Sequence, residues 1–265
     1  DLTTGSSSVI VAVIDSGVFL NHDDLAGKLV SGYDFISDPS VSRDGDGIDS
    51  NPDDPGDKTQ LSASSWHGTH VTGTVAAATN NQKGVAGAGW NTRVMPLRVL
   101  GLNGEGSTYD VLQAVRYAAR LSNDSGTLPS SRADIINLSL GSSFRSSAEQ
   151  DAFTAARNAG VIIVAAAGNS STNELFYPAS YDGVISVSAA APDRTLADYS
   201  NFGTRIDVSA HGGVRSDFDG DGQSDSILST FVDTTDGTRK SGYALLNGTS
   251  MATPHVAGVL ALMKA

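Results

Sequence analysis

The stretch VIVAVIDSGV, residues 9–18, sets six apolar residues in a row and closes them with Asp15, Ser16 and Gly17. Six residues is strand length. A run without polar alternation predicts burial on both faces, as in a parallel sheet covered by helices on either side. Ligands in open α/β sheets collect beyond the carboxyl ends of the strands, which is where Asp15 falls. On this stretch alone Asp15 has two readings: a turn former at a strand end, or an acid placed for chemistry.

The alternation continues outward. Further strands are predicted over 93–99, 134–140, 161–166 and 184–188, and helices over 67–78, 107–121 and 146–160, with a last helix from about Thr249. The helix over 146–160 opens on Ser146 and closes on Gly160, a cap at each end. Strands alternating with helices make βαβ units, so the expected fold class is α/β, a mostly parallel sheet with helices on both faces. SRDGDGIDSNPDDPGD (42–57) and SDFDGDGQSD (216–225) are too rich in Gly, Asp and Pro for helix or strand and are expected as loops. With no internal repeat and no linker, residues 1–265 are expected to form one domain.

Composition excludes several roles. Asp and Glu number 29 against 17 Lys and Arg, a net charge of −12 that repels a phosphate backbone and argues against nucleic acid as a partner. The longest apolar runs, VIVAVI and VIIVAAA, are far too short to span a bilayer, so no membrane partner is expected. The chain has no cysteine, hence neither disulfides nor thiolate metal ligands.

WHGTHVTG (66–73) places His67 and His70 three positions apart. The strongest zinc signature spaces its histidines at i and i+4, with a glutamate after the first. Here Gly68 follows His67, which disfavours a metal pair and leaves two readings: histidines hydrogen-bonded in a core, or a catalytic base with a packed neighbour. NGTSMATPHVAG (247–258) puts Ser250 at the opening of a helix, where free N–H groups and the dipole favour developing negative charge, although serine there is also the common cap. Pro254 marks an irregular turn or kink in that helix. Asp15, His67 and Ser250 together offer an acid, a base and a nucleophile, in that chain order.

The segments VAVIDSG, HGTHVTGTVAA and NGTSMATPHVAG, with INLSLG and AAAGN between them, resemble the signature motifs of the subtilisin family of serine peptidases nearly residue for residue, across essentially the whole chain. The resemblance implies a three-layer subtilisin-like fold and a serine endopeptidase working through an acyl-enzyme. It implies catalytic roles for Asp15, His67 and Ser250, with the side-chain amide of Asn169 as an oxyanion donor. His70 is then a packed neighbour, and His22, His211 and His255 are expected in a loop, at the surface and in helix packing. Peptide substrates are expected to add a strand between the edges Gly104-Glu105-Gly106 and Ser139-Leu140-Gly141. The pocket for the residue before the scissile bond is expected to be walled by Leu140, Ala166, Ala167 and Gly168, taking uncharged and often large apolar side chains. Phe176 stands at the base of that pocket, either shallowing it or pointing away.

Structural Ca²⁺ is the expected cofactor. Asp217, Asp219, Asp221 and Asp225 occupy positions one, three, five and nine of a calcium-loop pattern, with Gly222 at six and Gln223 at seven, but Leu228 stands at twelve where an EF-hand has glutamate. The alternative is a solvated acidic loop. Asp46, Asp49, Asp53, Asp54 and Asp57 form a second, less regular candidate. Asp24 matches a third calcium position of subtilisins, completed in the family by the loop ATNNQKGV and by an N-terminal residue that has no counterpart here. Weak sites of this kind fill at extracellular calcium levels, so the expected protein is secreted, monomeric and acts on proteins and peptides. Family members carry a helix before the first strand and further elements after the serine helix, so the stretch from Asp1 to Ala265 is expected to be a portion of a longer mature protein. A catalytically inactive, calcium-dependent binding module is the alternative function, and an intracellular peptidase of the same fold a third.

Overall fold

The computed structural model describes residues 3–265. Strand β1 (Ile10–Asp15) is buried along its whole length, and its side chains part into two cores. Ile10, Ala12 and Ile14 enter one; Val11 and Val13, with Val9 just before the strand, enter the other. Strand β1 lies inside a seven-stranded sheet with β2 (Tyr33–Asp34), β3 (Arg93–Arg98), β4 (Ile135–Leu138), β5 (Ile162–Ala166), β6 (Ile185–Ala190) and β7 (Val208–His211). The order is β2-β3-β1-β4-β5-β6-β7 and every pairing is parallel.

Five α-helices, α1 (Pro39–Ser42), α2 (His67–Ala76), α3 (Thr108–Ala118), α4 (Ser147–Asn158) and α5 (Thr249–Lys264), accompany the strands. Val111 and Val115 of α3 and Phe153 of α4 close the first core, while Val71 and Val75 of α2 and Met251, Ala257 and Ala261 of α5 close the second. Truncating one of these buried aliphatic side chains to alanine costs about 2–5 kcal/mol for Leu, Ile or Met. From β1 the chain runs to β2 and β3 on one side, then from β4 onward on the other, so the crevice between the ends of β1 and β4 is the topological switch point.

The expected strands and helices are all present, with ends shifted by a few residues at most. Three features carried no clear periodic signal: the two-residue β2, the exposed edge strand β7, and an antiparallel hairpin of β8 (Ile227–Asp233) and β9 (Lys240–Leu246) that packs on α2. His22, expected merely as a loop residue, is buried and reaches this hairpin, its Nε2 lying 2.9 Å from the Gly242 carbonyl oxygen. Among the described residues no helix is long and apolar enough to cross a membrane.

Candidate active site

Strand β1 ends on Asp15, which is 1% exposed, and α2 begins on His67. His67 Nδ1 lies 2.8 and 3.0 Å from the two Asp15 carboxylate oxygens. Gly68 permits this approach of helix to strand, because a Cβ there would stand 2.1 Å from the Gly17 carbonyl oxygen. The carboxylate fixes the proton on Nδ1 and leaves Nε2 as the lone-pair nitrogen. Burial by itself would lower the His67 pKa; the charge and hydrogen bond of Asp15, with Asp54 and Asp57 farther off, outweigh it, and the net shift is upward.

His70 has another task. Fully buried, its Nε2 lies 3.0 and 3.1 Å from the carbonyl oxygens of Ile227 and Ala244, one on each strand of the hairpin. Burial lowers its pKa to about 4, so the ring is neutral and donates. The bonded nitrogens of the two histidines are thus committed to a carboxylate and to backbone carbonyls, not to a shared ion.

Ser250 is the second residue of α5. Pro254, four residues on, has no N–H, so the Ser250 carbonyl lacks its helical partner; the Ser139 hydroxyl donates to it at 2.8 Å. The Ser250 hydroxyl donates in turn to the Ser139 carbonyl at 3.1 Å, and this reciprocal pair ties the end of β4 to the start of α5. In this rotamer Ser250 Oγ faces Ser139 and makes no hydrogen bond to His67. Asn169, just beyond β5, accepts with Oδ1 from the Thr249 N–H at 2.8 Å and the Thr249 hydroxyl at 2.9 Å. Its amide N–H groups are therefore left without a protein acceptor among the described residues.

One cleft gathers His67 with both expected substrate edges, Gly104, Glu105 and Gly106 on one side and Ser139, Leu140 and Gly141 on the other. Ala166, Ala167 and Gly168 are buried at the end of β5. Phe176 does not point away: a ring carbon would stand 2.5 Å from a Cβ at Gly141 and another 3.1 Å from one at Gly168, so the ring spans the two walls. A larger groove of about 1160 Å³ between α4, β6, β7 and α5 shares no residue with this cleft.

The acidic segments differ from one another. Carboxylate oxygens of Asp217, Asp219 and Asp225 lie within 4.8 Å of one another, the only such group of three among the described residues. The turn is shaped by Asp217, which accepts from the N–H groups of Gly220 at 2.7 Å and Gly222 at 2.9 Å. Asp221 accepts from the Gln223 N–H at 2.8 Å and stays outside the group.

In the 42–57 loop, Asp46, Asp49, Asp53, Asp54 and Asp57 do not converge. Asp53 pairs with Arg239 at 2.7 Å, Asp57 accepts from Ser65, and Asp49 accepts from the Asn51 N–H. Asp54 is buried and bonded to Ser16 and Gly56, and burial raises its pKa to about 6. Exposed Asp46 is left beside Asp49, whose like charge raises its pKa. Arg98, itself buried, binds Asp34, Asp44 and the Ser42 carbonyl. Of the five expected carboxylates, only that of Asp53 meets an arginine. Asp24 does meet the 78–85 loop, accepting from Asn81 Nδ2 at 2.5 Å and the Val85 N–H at 3.1 Å.

Sequence reasoning gave Ser16 no role, took Ser139 only as part of a substrate edge and Asp54 only as a metal ligand, and so missed how the three tie the strand ends and helix starts together. A hint was available for Ser139, since a proline inside a helix frees the carbonyl four residues back. Nothing in the spacing joined Asp54 to Ser16.

Comparison with known proteins bears on the whole chain. The model of the subtilase family matches residues 6–265. Over all of its length the chain is 44% identical to an extracellular protease of Xanthomonas campestris pv. campestris and covers 45% of that protein. Over 99% of its length it is 42% identical to a thermophilic serine proteinase of Bacillus sp. strain AK1, of which it covers 54%. The chain thus spans about half the length of these curated relatives. A solved protease structure from Pseudoalteromonas arctica matches with a TM-score of 0.91 and 43% identity, over 98% of this chain and 79% of that one.

Proposed function

The chain belongs to the subtilase family, and on that premise we propose that it is a secreted serine endopeptidase, hydrolysing peptide bonds of proteins with broad specificity through Asp15, His67, Ser250 and Asn169. The observation that carries this reading is the bond between Asp15 and His67 Nδ1 at the edge of a cleft framed by two chain edges. Rotation of Ser250 away from the Ser139 carbonyl brings Oγ to His67 Nε2, which takes its proton as Oγ attacks the scissile carbonyl carbon. The oxyanion formed is held by the Asn169 amide and the Ser250 N–H at the start of α5. His67 then returns the proton to the leaving amine, and water repeats the cycle on the acyl-enzyme.

Substrate lies as a strand between 104–106 and 139–141, so recognition is mainly of backbone. The Phe176 ring across the pocket walls favours small or medium uncharged side chains before the scissile bond, in place of the large apolar ones the wall residues alone suggest. Residues 1–265 act as one peptidase domain, and as a monomer. Structural Ca²⁺ is held by Asp217, Asp219 and Asp225, whose converging hard oxygens fit that ion; it supplies rigidity to the turn and no chemistry. Secretion is supported by the similarity to an extracellular protease of Xanthomonas campestris.

A serine-directed fluorophosphonate is expected to label the protein at Ser250, with labelling abolished in Ser250→Ala and blocked by prior incubation with a peptide substrate. A parent protein that stays unlabelled at every pH tested would instead be an inactive binding module.

A further inference from the structure

Asp54 is 2% exposed and held firmly at the end of the acidic loop. Its N–H donates to the Val18 carbonyl at 3.2 Å, and the Arg239 guanidinium binds its carbonyl oxygen. Its carboxylate takes two bonds, Oδ1 from the Gly56 N–H at 2.8 Å and Oδ2 from the Ser16 hydroxyl at 2.9 Å. A hydroxyl has one proton to give. Once Ser16 gives it to Asp54, the Ser16 oxygen can only accept, and it accepts from the Gly68 N–H at 3.0 Å. The Ser16 N–H donates to Asp15 Oδ1 at 2.8 Å. Ser16 therefore holds Asp15 by one group and the residue after His67 by another, across the contact on which the Asp15–His67 bond depends.

The geometry points to Asp54 as a positioning residue for the Asp15–His67 pair, acting by orienting the Ser16 hydroxyl toward Gly68. The inference rests on the catalytic reading given above. The Asp54 carboxylate hydrogen-bonds to neither member of the pair. Without its carboxylate the Ser16 hydroxyl is free to turn and donate elsewhere, and the start of α2 loses an acceptor fixed against the end of β1.

The test is a cycle of Ser16→Ala, Asp54→Ala and the double variant, assayed on a chromogenic peptide with melting followed in parallel. Misplacement of a reacting group by about 1 Å can cost about 10²-fold, so each single variant is expected to lose kcat by about ten- to a hundred-fold with KM little changed. The double variant is expected to be little slower than Ser16→Ala, because Asp54 acts on the geometry of the pair through that hydroxyl and otherwise adds only its charge near His67. Asp54→Asn, which keeps volume and one acceptor, is expected to recover part of the loss and guards against a failure of Asp54→Ala to fold. An unchanged kcat in Asp54→Ala, or single losses that multiply in the double variant, overturns the proposal.

A second readout does not need turnover. The low-field ¹H resonance of the His67 Nδ1 proton is expected to shift or broaden in Asp54→Ala and Asp54→Asn, and identical resonances in parent and variants overturn the proposal. A parent protein that neither hydrolyses peptide nor takes the fluorophosphonate refutes the peptidase reading instead, and the resonance still decides the role of Asp54.

Discussion

At the scale of single residues, Asn169 and His70 show how a side chain's partners decide its use. Asn169 spends its oxygen on Thr249 and keeps its amide free, the orientation an oxyanion donor needs. Asn169→Ala is expected to lower kcat by roughly 10²–10³ with little change in KM, the loss that removing one such donor causes in subtilisin itself. Steady-state kinetics with kcat unchanged would remove Asn169 from the oxyanion site. His70 is buried with a folded pKa of about 4, below its ordinary value near 6.5. Between these values the unfolded chain binds more protons than the folded one. The stability this burial contributes is therefore complete above about pH 6.5 and is lost as pH falls toward 4. His255 is shifted downward by burial as well and acts in the same direction. His70→Gln keeps an N–H donor for the hairpin carbonyls but cannot titrate. Its melting temperature is expected to fall less steeply than the parent's from pH 6.5 to 4, and parallel curves would clear His70 of the effect.

At the scale of elements, the 42–57 loop packs Ile48 against the first core and is fastened to the strand ends by charge. Arg98 at the end of β3 holds Asp34, Asp44 and the Ser42 carbonyl, while Arg239 before β9 holds Asp53 and the Asp54 carbonyl. Burial lifts the Asp34 carboxyl to about 7 even with the Arg98 guanidinium beside it, so this carboxylate depends on its partner. Arg98→Met leaves two carboxylates without their cation, and breaking a buried pair in this way costs about 3–5 kcal/mol. Urea unfolding is expected to show that loss, and amide exchange to quicken first over residues 38–57. Loss of stability with no local change in exchange would mean that Arg98 does not fasten the loop.

At the scale of the whole molecule, the chain has no cysteine and a net charge of −12, so no disulfide offsets its self-repulsion. The proposed calcium at Asp217, Asp219 and Asp225 binds only the folded state and adds RT ln(1 + [L]/Kd), about 2.7 kcal/mol at a hundredfold excess over Kd. Chelation is expected to lower the melting temperature and hasten self-digestion, and Asp217→Asn and Asp219→Asn to reproduce part of the loss while weakening the response to added calcium. Variants that melt with the parent in both calcium and chelator would show that the turn holds no structural ion.

The α/β class was legible in residues 9–18 and their counterparts, because a strand buried on both faces cannot alternate and a helix over a sheet must show its own period. Asp15, His67, Ser250 and Asn169 were singled out by the subtilisin-like motifs they stand in, since by spacing alone each had a second reading as a turn former, a packed histidine, a helix cap or a turn residue. The sequence could not show which carboxylates converge and which are taken by arginines, because Asp53 meets Arg239 across 186 positions. Nor could it show that Asp54 binds Ser16 across 38, that Phe176 lies between Gly141 and Gly168, or that His70 serves a hairpin more than 150 residues away. Such contacts depend on how separate elements close on one another, and only the tertiary structure decides which donor reaches which acceptor.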